Sequence, residues 1–156
     1  MLVLNVGSSS LKAALIGPDR PWQGQHTLAG APIEAALEQW LAPQLQPWWP
    51  QIQLAGHRVV HGGSEFGAPV RVDAGLIDSL QRLVPLAPLH QPHNLAAIRA
   101  LLARLPGVPE VACFDTAFHR SVPEVAQLFA LPPRFAAAGV RRYGFHGLSY
   151  EYIAAR

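Results

Sequence analysis

The sequence predicts an α/β domain, a mixed sheet with helices packed against it. Short apolar runs of strand length, such as 2–6, 10–16 and 110–115, alternate with longer stretches of helical spacing. Half of the 156 residues are hydrophobic and only 14% are charged, so the chain can bury a core of its own. Four polar clusters also follow directly on apolar runs: Asn5–Ser10, His57–Gly63, Asp115–His119 and Tyr143–Ser149. Loops at strand ends carry the chemistry of such sheets, so these clusters are expected to converge.

Residues 2–6 read as a buried strand and 10–16 as a second, joined by a tight turn at Gly7–Ser9. Gly17 to Pro21 has the punctuation of another turn, and 22–29 reads as a weaker third strand. Between Pro32 and Leu45 the residues Ile33, Ala36, Leu37, Trp40 and Leu41 recur at helical spacing, and Pro47 and Pro50 end that helix. "IQLAGHRVVHGG" (52–63) reads as a strand running into a double-glycine loop. Asp73 caps a helix in "AGLIDSLQRLV", "PLAPLHQP" (85–92) is a proline-held loop, and a helix spans Asn94 to Leu105. The strand "EVACFD" (110–115) ends on an aspartate, 132–139 is a connection, and a last helix begins near Gly147. The resulting order, β-β-β-α-β-α-α-β-α, has no internal repeat and no flexible linker.

Composition removes several classes of function. A net charge of +2 is too small for a nucleic-acid stripe. No apolar run reaches the roughly 18 residues of a membrane span. The apolar start breaks at Asn5 without the basic stretch or cleavage site of a signal peptide. The single cysteine, Cys113, has no partner for an internal disulfide, which suits a cytoplasmic protein.

Each cluster has a chemistry that its residue types suit. The Gly-Ser-Ser-Ser turn offers backbone N–H groups and hydroxyls to an anion. Lys12, the only lysine, adds a point charge for phosphate. The Walker A pattern is absent, and the same residues also suit an ordinary serine-rich hairpin. Arg58 offers a planar fork for carboxylate or phosphate before two glycines that permit close approach, or else a surface ion pair. As an anion clamp it is expected to lie free of a structural carboxylate and to face one cleft with Asn5, Asp115 and His146. His57 and His61 are four residues apart, but "RVV" favours a strand and no H-E-x-x-H helix is present, which disfavours a zinc pair. Asp115 at a strand end suits a base or metal-water ligand in phosphoryl transfer, or a turn. Cys113 suits the core better than a nucleophile's role. His146 can donate to a developing negative charge, and His90 can line a pocket; both equally suit packed, backbone-bonded histidines.

The segments "LNVGSSSLK", "GHRVVHGG", "LAPLHQPHN", "FDTAFH" and "GVRRYGFHGLS", in this order from residue 4 to 149, resemble the acetate and propionate kinase family. The resemblance implies an actin-like, ribonuclease H-like ATPase lobe and reversible phosphoryl transfer from ATP to acetate with Mg²⁺. It implies that Asn5 binds magnesium, that Ser8, Ser10 and Lys12 face phosphate, and that Arg58 binds substrate beside the apolar Val60. It further implies His90 near the transferred group, Asp115 as the catalytic aspartate and His146 as a transition-state donor. Tyr150 and Leu148 depart from the family pattern "FHGTSH", where histidine and threonine are expected.

Family members are longer, so the resemblance implies that residues 1–156 are the N-terminal lobe of such an enzyme, with the nucleotide-binding lobe absent. Such a lobe is expected to be inactive or nearly so alone, and the complete enzyme to be a homodimer. A stand-alone anion-binding or regulatory module derived from the lobe is the alternative reading. A histidine-rich metal hydrolase is a third.

Overall fold

The computed structural model describes residues 1–17 and 22–156; the turn expected at Gly17–Pro21 lies outside them except for Gly17. Among the described residues, six strands form one mixed sheet in the order β3-β2-β1-β4-β6-β5. β1 (Leu2–Val6), β2 (Ser10–Leu15) and β3 (Trp22–Thr27) run antiparallel as a meander. β4 (Ala55–Val59) lies parallel to β1, and β6 (Glu110–Phe114) parallel to β4. The expected α/β class holds.

The pleat sorts the strands into two faces. Leu2, Leu4 and Val6 of β1, Ala55, His57 and Val59 of β4, and Ala112 and Phe114 of β6 are buried. Against them pack α1 (Ile33–Ala36), α3 (Ala74–Arg82) and α4 (Gln91–Arg104). Helix α4 joins the two halves of this core: Ala97 and Leu101 pack with β1 and β2, while Leu95 and Ile98 pack with β4 and β6. The opposite face carries Val3, Asn5, Lys12, Arg58 and Cys113, none of them buried. That face is where polar side chains can work.

Asn94 fastens the layers at the strand ends. Its Nδ2 donates to Val6 O at 2.7 Å, and its Oδ1 accepts from Val60 N–H at 2.9 Å. One buried amide thus joins the exits of β1 and β4 to the first turn of α4.

Several boundaries differ from the sequence reading. Helix α4 begins at Gln91, because Pro92 occupies its first turn, where a missing N–H is harmless. The helix expected to Leu45 contains a π-helical turn, Leu37–Leu41, before α2 (Ala42–Gln44). Pro43 has no N–H and crowds the carbonyl four residues back, and Ala42 N–H reaches Leu37 O instead. The 52–63 strand is trimmed to β4 by a 3₁₀ turn at Trp49–Gln51 on one side and the glycine loop on the other. β5 (Val70–Arg71) was not anticipated: two residues after a proline carry no alternation to read. Short helices α5 (Glu124–Gln127) and α6 (Pro133–Ala137) precede α7 (Gly147–Ala154), which starts where expected.

Asn94→Ala leaves two buried backbone groups without partners. Stability to urea is expected to fall by about 2–6 kcal/mol, since each of the two groups costs about 1–3 kcal/mol.

Candidate functional site

The exits of β1, β4 and β6 bring three of the expected residues into direct contact. Arg58 donates from Nε and Nη2 to Asp115 Oδ2 at 2.9 and 2.5 Å, and from Nη1 to Asn5 Oδ1 at 3.0 Å. Strand register makes this possible. Arg58 pairs with Cys113 and Val59 with Phe114, so Asp115 is the next residue out of β6, its N–H bonded to Val59 O at 3.0 Å. The Asp115 carboxylate is 1% exposed, whereas the Arg58 side chain is 25% exposed. The guanidinium therefore covers the carboxylate and keeps one edge towards solvent.

This corrects one expectation. Arg58 does not lie free of a carboxylate, because a charge as buried as Asp115 requires a paired partner. That partner is itself one of the expected site residues.

The other expected residues lie on or beside the elements that flank this knot at the strand exits. Ser8 lies exposed in the β1–β2 turn, which closes through Gly7 N–H to Ser10 O at 2.9 Å. Ser10 is half-buried, and exposed Lys12 faces Asn5 across the β1–β2 ladder. Asn5, Lys12, Val3, Ala14, Gln23 and Gln25 line a shallow depression of about 440 Å³. His146 is exposed at the start of α7 with a left-handed backbone, φ 58°, and the following Gly147 N–H donates to Asp115 O at 3.0 Å. His90 is the exposed residue preceding α4, one turn before Asn94. Val60 is 6% exposed, two residues beyond Arg58 and tied to Asn94.

Both remaining histidines of the β4 segment are buried. His57 Nε2 bonds Glu110 Oε2 at 2.6 Å in the core, leaving His57 Nδ1 and Glu110 Oε1 without partners. His61 is 1% exposed, and burial pushes its pKa below the usual value, favouring the neutral ring. Among the described residues, no three His, Cys, Asp or Glu side chains gather as a metal cluster. Magnesium makes a different demand: one or two protein oxygens, with water and phosphate for the rest. The Asn5 amide oxygen is a ligand of the required kind; it accepts from Arg58 Nη1, and the Asp115 carboxylate beyond is covered by the same guanidinium.

Sequence reading missed the residues that support these groups. Thr116 Oγ1 accepts from Gly62 N–H at 2.9 Å, and Gln91 pins both backbone groups of His61. The adjacent glycines and the aromatic alternation "YGFH" were the only local signals.

A sequence profile of the Acetokinase family matches residues 22–156. The chain belongs to the Acetokinase family. Acetate kinase of Nitrobacter hamburgensis is 43% identical, over 99% of this chain and 46% of that protein. Acetate kinase of Rhodopseudomonas palustris is 58% identical over 68% of this chain and 27% of that protein. The crystal structure of Porphyromonas gingivalis acetate kinase superposes with a TM-score of 0.87 at 35% identity, over 99% of this chain and 47% of that one. A propionate kinase from Francisella tularensis gives 0.85 at 32% identity, over 97% and 46%. The actin-like fold expected from the family motifs is therefore present, and the chain spans about half the length of these full-length matches. No helix among the described residues is long and apolar enough to cross a membrane.

Cys113 lies on the open face beside the knot, with its thiol pKa raised by burial and then by the nearby Glu151 carboxylate. Its reaction with a disulfide reagent at pH 8 is expected to be slower than that of a free thiol. Glu151→Gln should speed it, as followed by thiolate release.

Proposed function

We propose that this chain supplies the carboxylate-binding half of a phosphotransferase acting between ATP and acetate. The observation carrying this reading is the contact of Arg58 with both Asn5 and Asp115, beside a serine hairpin bearing Lys12. Membership of a family whose relatives are acetate and propionate kinases supports the reaction class.

In this reading the Arg58 fork anchors the acetate carboxylate, and Val60 bounds the methyl group. Arg58 keeps its Nε and Nη2 bonds to the buried Asp115, and the guanidinium edge left towards solvent is the part that meets the acetate carboxylate. His146 donates to charge developing on the transferred group, with His90 nearby. Ser8, Ser10 and Lys12 face the nucleotide's phosphates. Asn5 would hold magnesium, which when bound neutralises charge on the phosphate oxygens. Phosphoryl transfer depends on positioning and electrostatics, so a cluster of fixed cations and donors matches its needs.

We assign residues 1–156 to one lobe of a two-lobed cleft, with a second lobe supplying the remaining nucleotide contacts. A homodimeric, cytoplasmic enzyme accompanies this reading. The lobe alone is expected to form acetyl hydroxamate far below the roughly 1–100 s⁻¹ of kinases, since each lost electrostatic contact costs about 10²–10³ in rate. Near-normal turnover would show that the lobe suffices. Tight anion binding without any requirement for a second lobe would favour a regulatory module instead.

In the two-lobed enzyme, Arg58→Ala should lower kcat/KM for acetate at least about tenfold, a loss of about 1.4 kcal/mol. Arg58→Lys should also be damaging, because a point charge cannot form the fork. Full activity in Arg58→Ala overturns the site. Val60→Ala should raise propionate use relative to acetate, by at most the 1–3 kcal/mol that about one methylene is worth. An unchanged ratio of specificity constants removes Val60 from the pocket.

A further inference from the structure

We propose that His61 is a positioning residue that grips the Tyr143–Phe145 segment and so holds His146 beside Asp115. The proposal takes from the phosphotransfer reading only what His146 does; how His146 is held stands on geometry alone.

His61 is itself immobilised. Its backbone N–H donates to Gln91 Oε1 at 3.3 Å, and its carbonyl accepts from Gln91 Nε2 at 3.0 Å. Its Nδ1 accepts from Gly63 N–H at 2.9 Å, so in the neutral ring the proton belongs on Nε2. Gly63 has a left-handed backbone, φ 62°, which turns that N–H back towards the ring and which glycine adopts without strain. The fixed imidazole then meets the Tyr143 ring edge-on at 4.4 Å and the Phe145 ring at 5.8 Å.

A second histidine closes the grip. His119 Nε2 is 2.9 Å from Phe145 O, and its ring packs so tightly on Gly144 that a Cβ there would collide with it. The next residue, His146, is a non-glycine in left-handed conformation. Such a conformation persists only where its surroundings over-determine it. Here those surroundings are the two histidines before it and the Gly147–Asp115 hydrogen bond after it.

The grip requires a neutral His61, because a proton on Nδ1 removes the acceptor for Gly63 N–H. Burial favours that neutral form. The charged and titratable groups around the contact are Arg141, stacked on Tyr143 at 5.5 Å, Glu124, which lines a cavity with Arg141 and Tyr143, Glu65 and Arg82, which line a second with Tyr143, and His119 across the segment.

The test is NMR on the isotope-labelled chain, which needs no turnover. The His61 imidazole is expected in its Nε2–H form, with through-space contacts to the Tyr143 ring. His61→Asn keeps an acceptor near the Nδ1 position but removes the ring. It should speed hydrogen exchange at the Gly147 amide at least about tenfold, while amides of β1 and β4 keep their protection. Unchanged Gly147 exchange in a folded His61→Asn protein overturns the proposal. If that variant does not fold, the wild-type spectrum decides: an Nδ1–H tautomer, or no contact to Tyr143, overturns it equally. Neither result touches the phosphotransfer reading, which stands or falls on the kinetics of Arg58→Ala.

Discussion

A buried carboxylate at the exit of β6 is the constraint around which the strand exits of this sheet are arranged. Asp115 is almost wholly excluded from water, and one guanidinium neutralises it while also reaching Asn5. Removing one member of a buried pair costs about 3–5 kcal/mol, so strand exits that failed to align would be strongly penalised. Alignment comes from the parallel ladders of β1 with β4 and β4 with β6, which put Asn5, Arg58 and Asp115 at neighbouring ends. The same three side chains that close these exits are the ones exposed to, or bonded at, the open face of the sheet.

The two faces of the sheet divide the labour. One face is apolar and carries α1, α3 and α4, with polar groups admitted only where they are bonded. Asn94 and Gln91 earn their burial by tying α4 to strand exits and to the glycine loop. The His57–Glu110 contact is less complete, since each partner keeps one unbonded buried atom. The other face leaves Arg58, Asn5 and Lys12 accessible along adjacent strands. In the loops at the strand exits, Gly63 and His146 both adopt left-handed backbones, and Gly144 and Gly147 sit where no Cβ fits.

Much of this was legible along the chain. The strands β1, β2, β4 and β6, the capped helix α3 and the start of α7 follow from apolar runs, an aspartate cap and a glycine, all local features. The positions of Asn5, Arg58 and Asp115 after apolar runs marked them as strand-exit residues, and the five ordered motifs pointed to the family. Local reading stopped at β5, at the π-helical turn before Pro43, and at the true start of α4. Each of these depends on a neighbouring strand or on hydrogen-bond register rather than on periodicity.

The amino-acid sequence by itself determined which residue types stand at the strand exits, because burial periodicity and turn chemistry are properties of short segments. Only the tertiary structure decided that Arg58 pairs with Asp115 rather than standing free, and that His61 and His119 hold the segment before His146. Those contacts join residues 26 to 82 positions apart in the chain. Their existence depends on parallel strand register and on loop closure, and neither is encoded within any single window of sequence.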